Sequence, residues 1–384
     1  MKKARQKKRQ GKKHIIFSIL ISMLIGAIIG FLTTKHVSSI LNSGRGTMEI
    51  VISLILMLVE LYAAIFLQIV IHEAGHLILG LLTGYRFLSF RIGNFMWVRE
   101  NKRLKIKRLS LAGTGGQCLL LPPEPPDKKA PFALYHLGGA ILNLVSSLIF
   151  FILYLFFQNV AYLSLFLLIV SLVGLAIALL NGIPMQYGLV SNDGQNVRLC
   201  AKDNKTLHAM CIQLKVVGEL SRGIRLRDMP EEWFSFIALE EMNNGIVATI
   251  AVFAANRLLD SQLLDEADQL AARLLEVDSL EGIHRNLLVC DRIYYEVINK
   301  NRKDIVDMMR DNPQKEFMKS MKKFPSVLRT EYAYMLLVEK SMERAEKIMA
   351  TFEKVARTYP YSCEIESERE LMNIANRVSD GYEQ

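Results

Sequence analysis

A chain of 384 residues, 51% apolar and with a mean hydropathy of +0.22, points to a membrane protein and is long enough for two or three domains. Eight of its cations, with no acid among them, fall within residues 1–13, and without them the net charge of +9 drops to +1. That distribution excludes a general nucleic-acid footprint and marks a cytoplasmic basic tail (1–14) beside a membrane.

Residues 15–33 form an apolar stretch long enough to cross a bilayer. No small-residue cleavage site follows, so an uncleaved first transmembrane helix is expected. A second apolar run, about 48–83, exceeds one hydrocarbon thickness and must tilt, kink or project. Residues 86–108 then alternate apolar and basic side chains in short strands, with eight Lys or Arg against one acid. They read as a β-ribbon lying against the membrane interface. Gly113–Cys118 and Leu121–Pro126 read as loop. Two more spans follow, at 132–157 and 160–180, and the helix breaks at Asn181–Pro184, ahead of Ser191-Asn192-Asp193-Gly194.

Four spans with a cytoplasmic N-terminus put the loop 84–130, with ten Lys or Arg, inside. The loop 34–47, with only Lys35 and Arg45, falls outside, as the positive-inside rule requires. The ends of the second and fourth spans then share the cytoplasmic face, as do both chain termini. From Asp203 to residue 384 the chain reads as a soluble all-α domain. Leu264–Ala267, Arg302–Ile305 and Met342–Ala345 align with their last positions 38 and 40 residues apart, the mark of a helical, tetratricopeptide-like array. An irregular helical bundle is the alternative. Cys118, Cys200, Cys211, Cys290 and Cys363 are scattered without a C-x-x-C pair and read as free thiols.

The chemistry concentrates at His72-Glu73-Ala74-Gly75-His76. Histidines four apart share one helical face, and two neutral imidazoles at that spacing can hold a zinc ion. Glu73 is then placed as general base for an attacking water. Ionisable side chains in so apolar a run are costly and functional by default. A catalytic zinc needs a third protein ligand. Asp193 is the candidate, because it follows a helix break, precedes a glycine and lies at the matching membrane face. Asn143 is a candidate for bonding the substrate backbone or an oxyanion; its other reading is a bond to a neighbouring helix.

At these residues the sequence resembles the site-2 protease family of intramembrane zinc metalloproteases. The matching pieces are His72-Glu73-Ala74-Gly75-His76, Gly139-x-x-x-Asn143, and Asn181-x-x-Pro184 followed by Asp193-Gly194. The resemblance, over about 48–196, implies a three-helix catalytic core with His72, His76 and Asp193 on zinc and Glu73 as base. It also implies that the ribbon receives unwound substrate as an added strand. Two features depart from the family pattern: Ala140 stands where many members have proline, and the gap from Pro184 to Asp193 is long. No PDZ-like or CBS-like segment is visible.

The expected function is therefore zinc-dependent hydrolysis of peptide bonds in membrane-spanning or membrane-bound substrates, in a multi-pass protein of the cell membrane. The helical domain would recruit substrate or a cytoplasmic protein partner. The alternative is a non-catalytic zinc-binding membrane adaptor working through its C-terminal helices, in which Glu73 would have no use.

Overall fold

The computed structural model describes residues 46–100, 103–109, 115–123, 132–187, 190–234, 241–280 and 282–382, with isolated positions between 23 and 38. The expected span at 15–33 lies largely outside the described residues, and the basic tail and residues 124–131 lie wholly outside them. Thirteen α-helices and a small antiparallel sheet are present among the described residues. The chain divides into two compact units, one within residues 1–86 and 123–202, the other within 87–122 and 203–384.

The first unit holds three helices long and apolar enough to cross a membrane: α1 (Thr47–Leu82), α2 (Phe132–Phe156) and α3 (Ala161–Gly182). At 1.5 Å per residue, the 36 residues of α1 run about 54 Å, well beyond a hydrocarbon core of about 30 Å. Their outer faces expose Ile55, Val59, Phe66, Leu148 and Ile149, as lipid contact requires. A small apolar cluster forms around Ala64, Leu165, Ile169, Val170 and Val173. Polar groups do the rest of the joining, since lipid offers helices no hydrophobic reason to associate. Ser147 Oγ donates to the Ser171 carbonyl (2.7 Å) and Ser171 Oγ to the Ser147 carbonyl (2.9 Å), tying α2 to α3. After α3 a short β5–β6 hairpin (Gln186–Tyr187, Val190–Ser191) leads into α4 (Asp193–Lys202).

The second unit combines the sheet with the remaining helices. Strands β1 (Arg86–Ile92), β2 (Phe95–Glu100), β3 (Arg103–Arg108) and β4 (Gly116–Leu121) lie in the order β3-β2-β1-β4. The reading of 113–126 as loop fails at Gly116–Leu121. A glycine-led stretch is tolerated there because β4 is an edge strand, and Pro122 directly after it cannot donate to a ladder. The inner sheet face, with Met96 and Val98, belongs to the same core as Ile212, Val216 and Leu220 of α5 (Asn204–Ser221). Leu88 and Leu121 close on Gly218 of that helix. Arg108 N donates to the Thr358 carbonyl at 2.8 Å. The ribbon's packing partners thus include the C-terminal helices.

Those helices come in pairs. The pairs are α6 (Gly245–Asp260) with α7 (Leu264–Leu274), α8 (Gly282–Asn299) with α9 (Lys303–Met309), and α11 (Pro325–Leu337) with α12 (Met342–Ala356). The short α10 (Asn312–Ser320) and the terminal α13 (Ser362–Tyr382) complete the unit. Among the described residues the non-glycine positions with positive φ are Gln262, Asn301 and Lys340, at 59°, 48° and 49°. Each lies two residues before the second helix of its pair, at an even spacing of 39. One turn geometry is therefore used three times, on the period seen in the aligned segments.

Candidate metal centre

The site is built where α1, α2 and α4 meet, and glycines make that meeting possible. A Cβ on Gly75 would sit 2.2 Å from the Gly138 carbonyl oxygen, and one on Gly139 would sit 2.5 Å from the His72 ring. Only at these positions can the α1 backbone and its imidazole come so near α2. A Cβ on Gly194 would fall 2.3 Å from the Gly182 carbonyl oxygen, so α4 can start against the end of α3.

Three side chains converge there. His72 Nε2 lies 3.1 Å from Asp193 Oδ2, His76 Nε2 lies 3.4 Å from the same oxygen, and the two Nε2 atoms are 3.2 Å apart. The surrounding hydrogen bonds fix what these atoms are. Gln68 Nε2 donates to the Val170 carbonyl (3.0 Å), which turns Gln68 Oε1 toward α2. Asn143 Nδ2 donates to that Oε1 (2.7 Å) and to the Gln68 carbonyl (2.9 Å), so Asn143 presents Oδ1 to His72 Nδ1 at 2.7 Å. His72 must then carry its proton on Nδ1. His76 Nδ1 faces the Tyr135 carbonyl at 2.8 Å and must carry its proton there too. Both Nε2 atoms are left as lone pairs, facing each other and a carboxylate oxygen.

Three acceptors in mutual contact repel unless a positive charge lies among them. A proton can satisfy one pair at a time, whereas a cation satisfies all three. Zinc with bonds of about 2.0–2.1 Å in a tetrahedron sets its ligands ~3.3 Å apart, close to the separations seen. The donor set, two imidazoles and one carboxylate, and the buried hydrogen-bonded Nδ1 groups behind it also fit that ion. Among the described residues this is the one group of three or more His, Cys, Asp or Glu side chains near enough to hold a metal.

Glu73 is buried on α1, between the two histidines in sequence. Asn143 is fully buried and its amide is committed to His72 and Gln68. That places it behind the imidazole and leaves it no amide hydrogen for an oxyanion.

Sequence reasoning overlooked Gln68, Tyr135, His136 and Asn192. Gln68 had a usable signal: it sits four residues before His72, on the same face of an apolar helix. Tyr135 acts through its backbone carbonyl, which no side-chain pattern reveals. His136 is buried beside the Tyr135 ring, 4.8 Å between centroids. Asn192 sets the position of Asp193. Its Oδ1 accepts from Met185 N (3.0 Å) and Gln195 N (2.9 Å), and its Nδ2 donates to the Leu180 and Ile183 carbonyls, both 2.6 Å. One side chain thereby caps the end of α3 and the start of α4.

The family model for peptidase family M50 matches residues 60–359, from within α1 to the residues after α12. The match covers well over half of the chain, which therefore belongs to this family of site-2-protease-type metalloproteases. Comparison with curated proteins and with solved structures found no match. In general terms the chain is a site-2-protease-like intramembrane metalloprotease, of a family that is typically zinc-dependent.

Proposed function

We propose that His72, His76 and Asp193 hold a zinc ion and that the chain hydrolyses peptide bonds in membrane-spanning or membrane-bound proteins and peptides. The observation that carries this reading is the triangle of three acceptor atoms 3.1–3.4 Å apart, with both Nδ1 protons committed elsewhere. When bound, zinc supplies Lewis acidity to the scissile carbonyl and to the attacking water. Glu73 takes the proton from that water and delivers it to the leaving amine. Asn143 and Gln68 hold the His72 ring in one orientation, and the Tyr135 carbonyl does the same for His76. Burial of the site within apolar helices limits competing water and strengthens each of these interactions.

We further read both termini as cytoplasmic, as the charge bias of the loops requires, with a fourth span at 15–33. The C-terminal unit, in this reading, engages a cytoplasmic protein.

Glu73→Gln is the direct test. Removing a general base costs about 10²–10⁴-fold in rate while leaving the ligands in place. The variant is expected to keep zinc by mass spectrometry and to accumulate uncut membrane peptides relative to wild type. Unchanged peptide processing would sink the protease reading and leave the adaptor.

A further inference from the structure

The C-terminal unit contains a cavity of about 200 Å³, partly open to solvent, where α5, α6, α8, α11 and α13 converge. Its lining mixes apolar side chains such as Phe253, Leu287 and Leu371 with the carboxyl groups of Asp291, Glu364 and Glu368. A buried carboxyl group needs a partner for its charge. Here the partners run short. Arg329, fully buried, reaches Asp291 Oδ1 at 2.6 Å through Nη2. Its Nε is 3.4 Å from Glu368 Oε2, without hydrogen-bond geometry. Glu368 Oε2 and Arg329 Nε and Nη1 are thus buried with no hydrogen-bond partner. Glu364 accepts from the Tyr359 hydroxyl at 2.9 Å, and among the described residues no cation is paired with it. Arg225, the arginine that lines the cavity, is already shared between Asp260 and Glu370, and Arg329 lies behind the wall. Burial lowers the proton affinity of His284, so it supplies no charge near neutrality.

The missing charge is not a metal ion. These carboxyl groups do not close around one point; the described residues do that only at His72, His76 and Asp193. The apolar part of the wall also gives a bare ion nothing to match. An apolar cavity of about 150 Å³ takes a benzene-sized guest, so this one admits a body of about ten non-hydrogen atoms.

We propose that this cavity is a binding site for a small amphipathic cation, an amine on an apolar body, with the ammonium at Glu364 and Glu368 and the body against Phe253 and Leu287. The site stands independently of the proteolytic reading. It answers the electrostatic deficit and the apolar volume together, which a neutral ligand would not. Burial pushes both glutamates up to about 7, so near neutrality each is only part ionised, and a bound cation draws both into the charged form with release of the remaining protons.

The test uses the full chain in detergent micelles, with 2-phenylethylamine as probe and 2-phenylethanol and 3-phenylpropionate as its neutral and anionic counterparts. Calorimetric titration is expected to show saturable amine binding, at least tenfold weaker alcohol binding and no carboxylate binding. Glu368→Gln should weaken the amine tenfold or more. Leu287→Trp, which keeps every charge and fills the volume, should abolish it, and decides the matter where Glu368→Gln fails to fold by circular dichroism. No amine binding, equal binding of the alcohol, or wild-type affinity in Leu287→Trp would overturn the proposal.

Discussion

The two units each bury a polar network, and the networks are built to opposite standards. In the network behind the two histidines every link is matched: the Val170 carbonyl holds Gln68, Gln68 holds Asn143, Asn143 holds His72, and the Tyr135 carbonyl holds His76. In the C-terminal unit Arg329 serves two carboxyl groups imperfectly and leaves polar atoms unpartnered beside a cavity. The contrast follows from what each must do. A site that places three ligand atoms within a few tenths of an ångström needs rings that cannot turn. A cavity that receives and releases a ligand needs polar groups whose best partner is that ligand. Full satisfaction fixes geometry; partial satisfaction leaves room for binding.

The contrast is broken most severely at the cation that the C-terminal network shares. Arg329→Met leaves Asp291 and Glu368 buried without a positive charge, which costs about 3–5 kcal/mol. Both tryptophans, Trp97 and Trp233, lie in this unit, so their fluorescence follows its unfolding. The expected result is a large drop in the denaturant midpoint of the tryptophan signal with the zinc content unchanged. A midpoint equal to wild type would mean the arginine is not holding the network.

In the membrane unit the same kind of deletion should register in function rather than in fold. Asn143→Leu removes the acceptor that orients His72 but no metal ligand. Outer-shell losses of this kind cost about 10–100-fold in metal affinity or activity. Competition with a graded chelator should show zinc released from the variant at correspondingly lower chelator concentration. Gln68→Leu, one link further back, should give a smaller effect of the same sign. If Asn143→Leu instead left zinc affinity intact and lowered only peptide hydrolysis, the amide would belong at the substrate and not behind the imidazole. Asn192→Ala sharpens this further, because it loosens the start of α4 and hence Asp193 while leaving both histidines held.

What the sequence revealed depended on whether a structural need uses a distinctive residue. The imidazole pair was legible because four-residue spacing on a helix admits one geometry, and Asp193 because a broken helix and a following glycine are local signals. Gly75, Gly138 and Gly139 were visible as letters, but their purpose appears only when α1 and α2 are seen crossing at them. Asn192 was hidden because it satisfies backbone groups, a task with no motif. The recurring turns at Gln262, Asn301 and Lys340 were hidden too: positive φ is commonly signalled by glycine, and none of the three is one. Period alone, read from Leu264–Ala267 and its two counterparts, pointed to them. Glu364 and Glu368, four apart on α13, match no motif. Only the approach of Arg329 and Asp291 from other helices makes a charged cluster of Glu368.

The mildest expected effect is a pH dependence confined to the C-terminal unit. Burial holds Glu364 and Glu368 at about 7, against an ordinary value of 4.5. Between those values the folded unit keeps protons that the unfolded chain has released. Stability therefore falls as pH rises through this window and levels off above it. The groups facing the pair are Arg329, Asp291 and Asp260 for Glu368, and Tyr359 and Asp260 for Glu364, and the two glutamates also face each other. His284 works the other way, since its lowered value favours the neutral ring in the fold and costs stability on acidification below the ordinary 6.5. The raised carboxyl groups, with burial raising Asp291 as well, outweigh one lowered imidazole, so the tryptophan-monitored midpoint should decline from pH 5 to pH 7. Glu368→Gln should flatten that decline, because one titrating group is gone. A midpoint that rises across the same interval would mean that the glutamates are ionised in the fold, with a cation already close enough to hold them so.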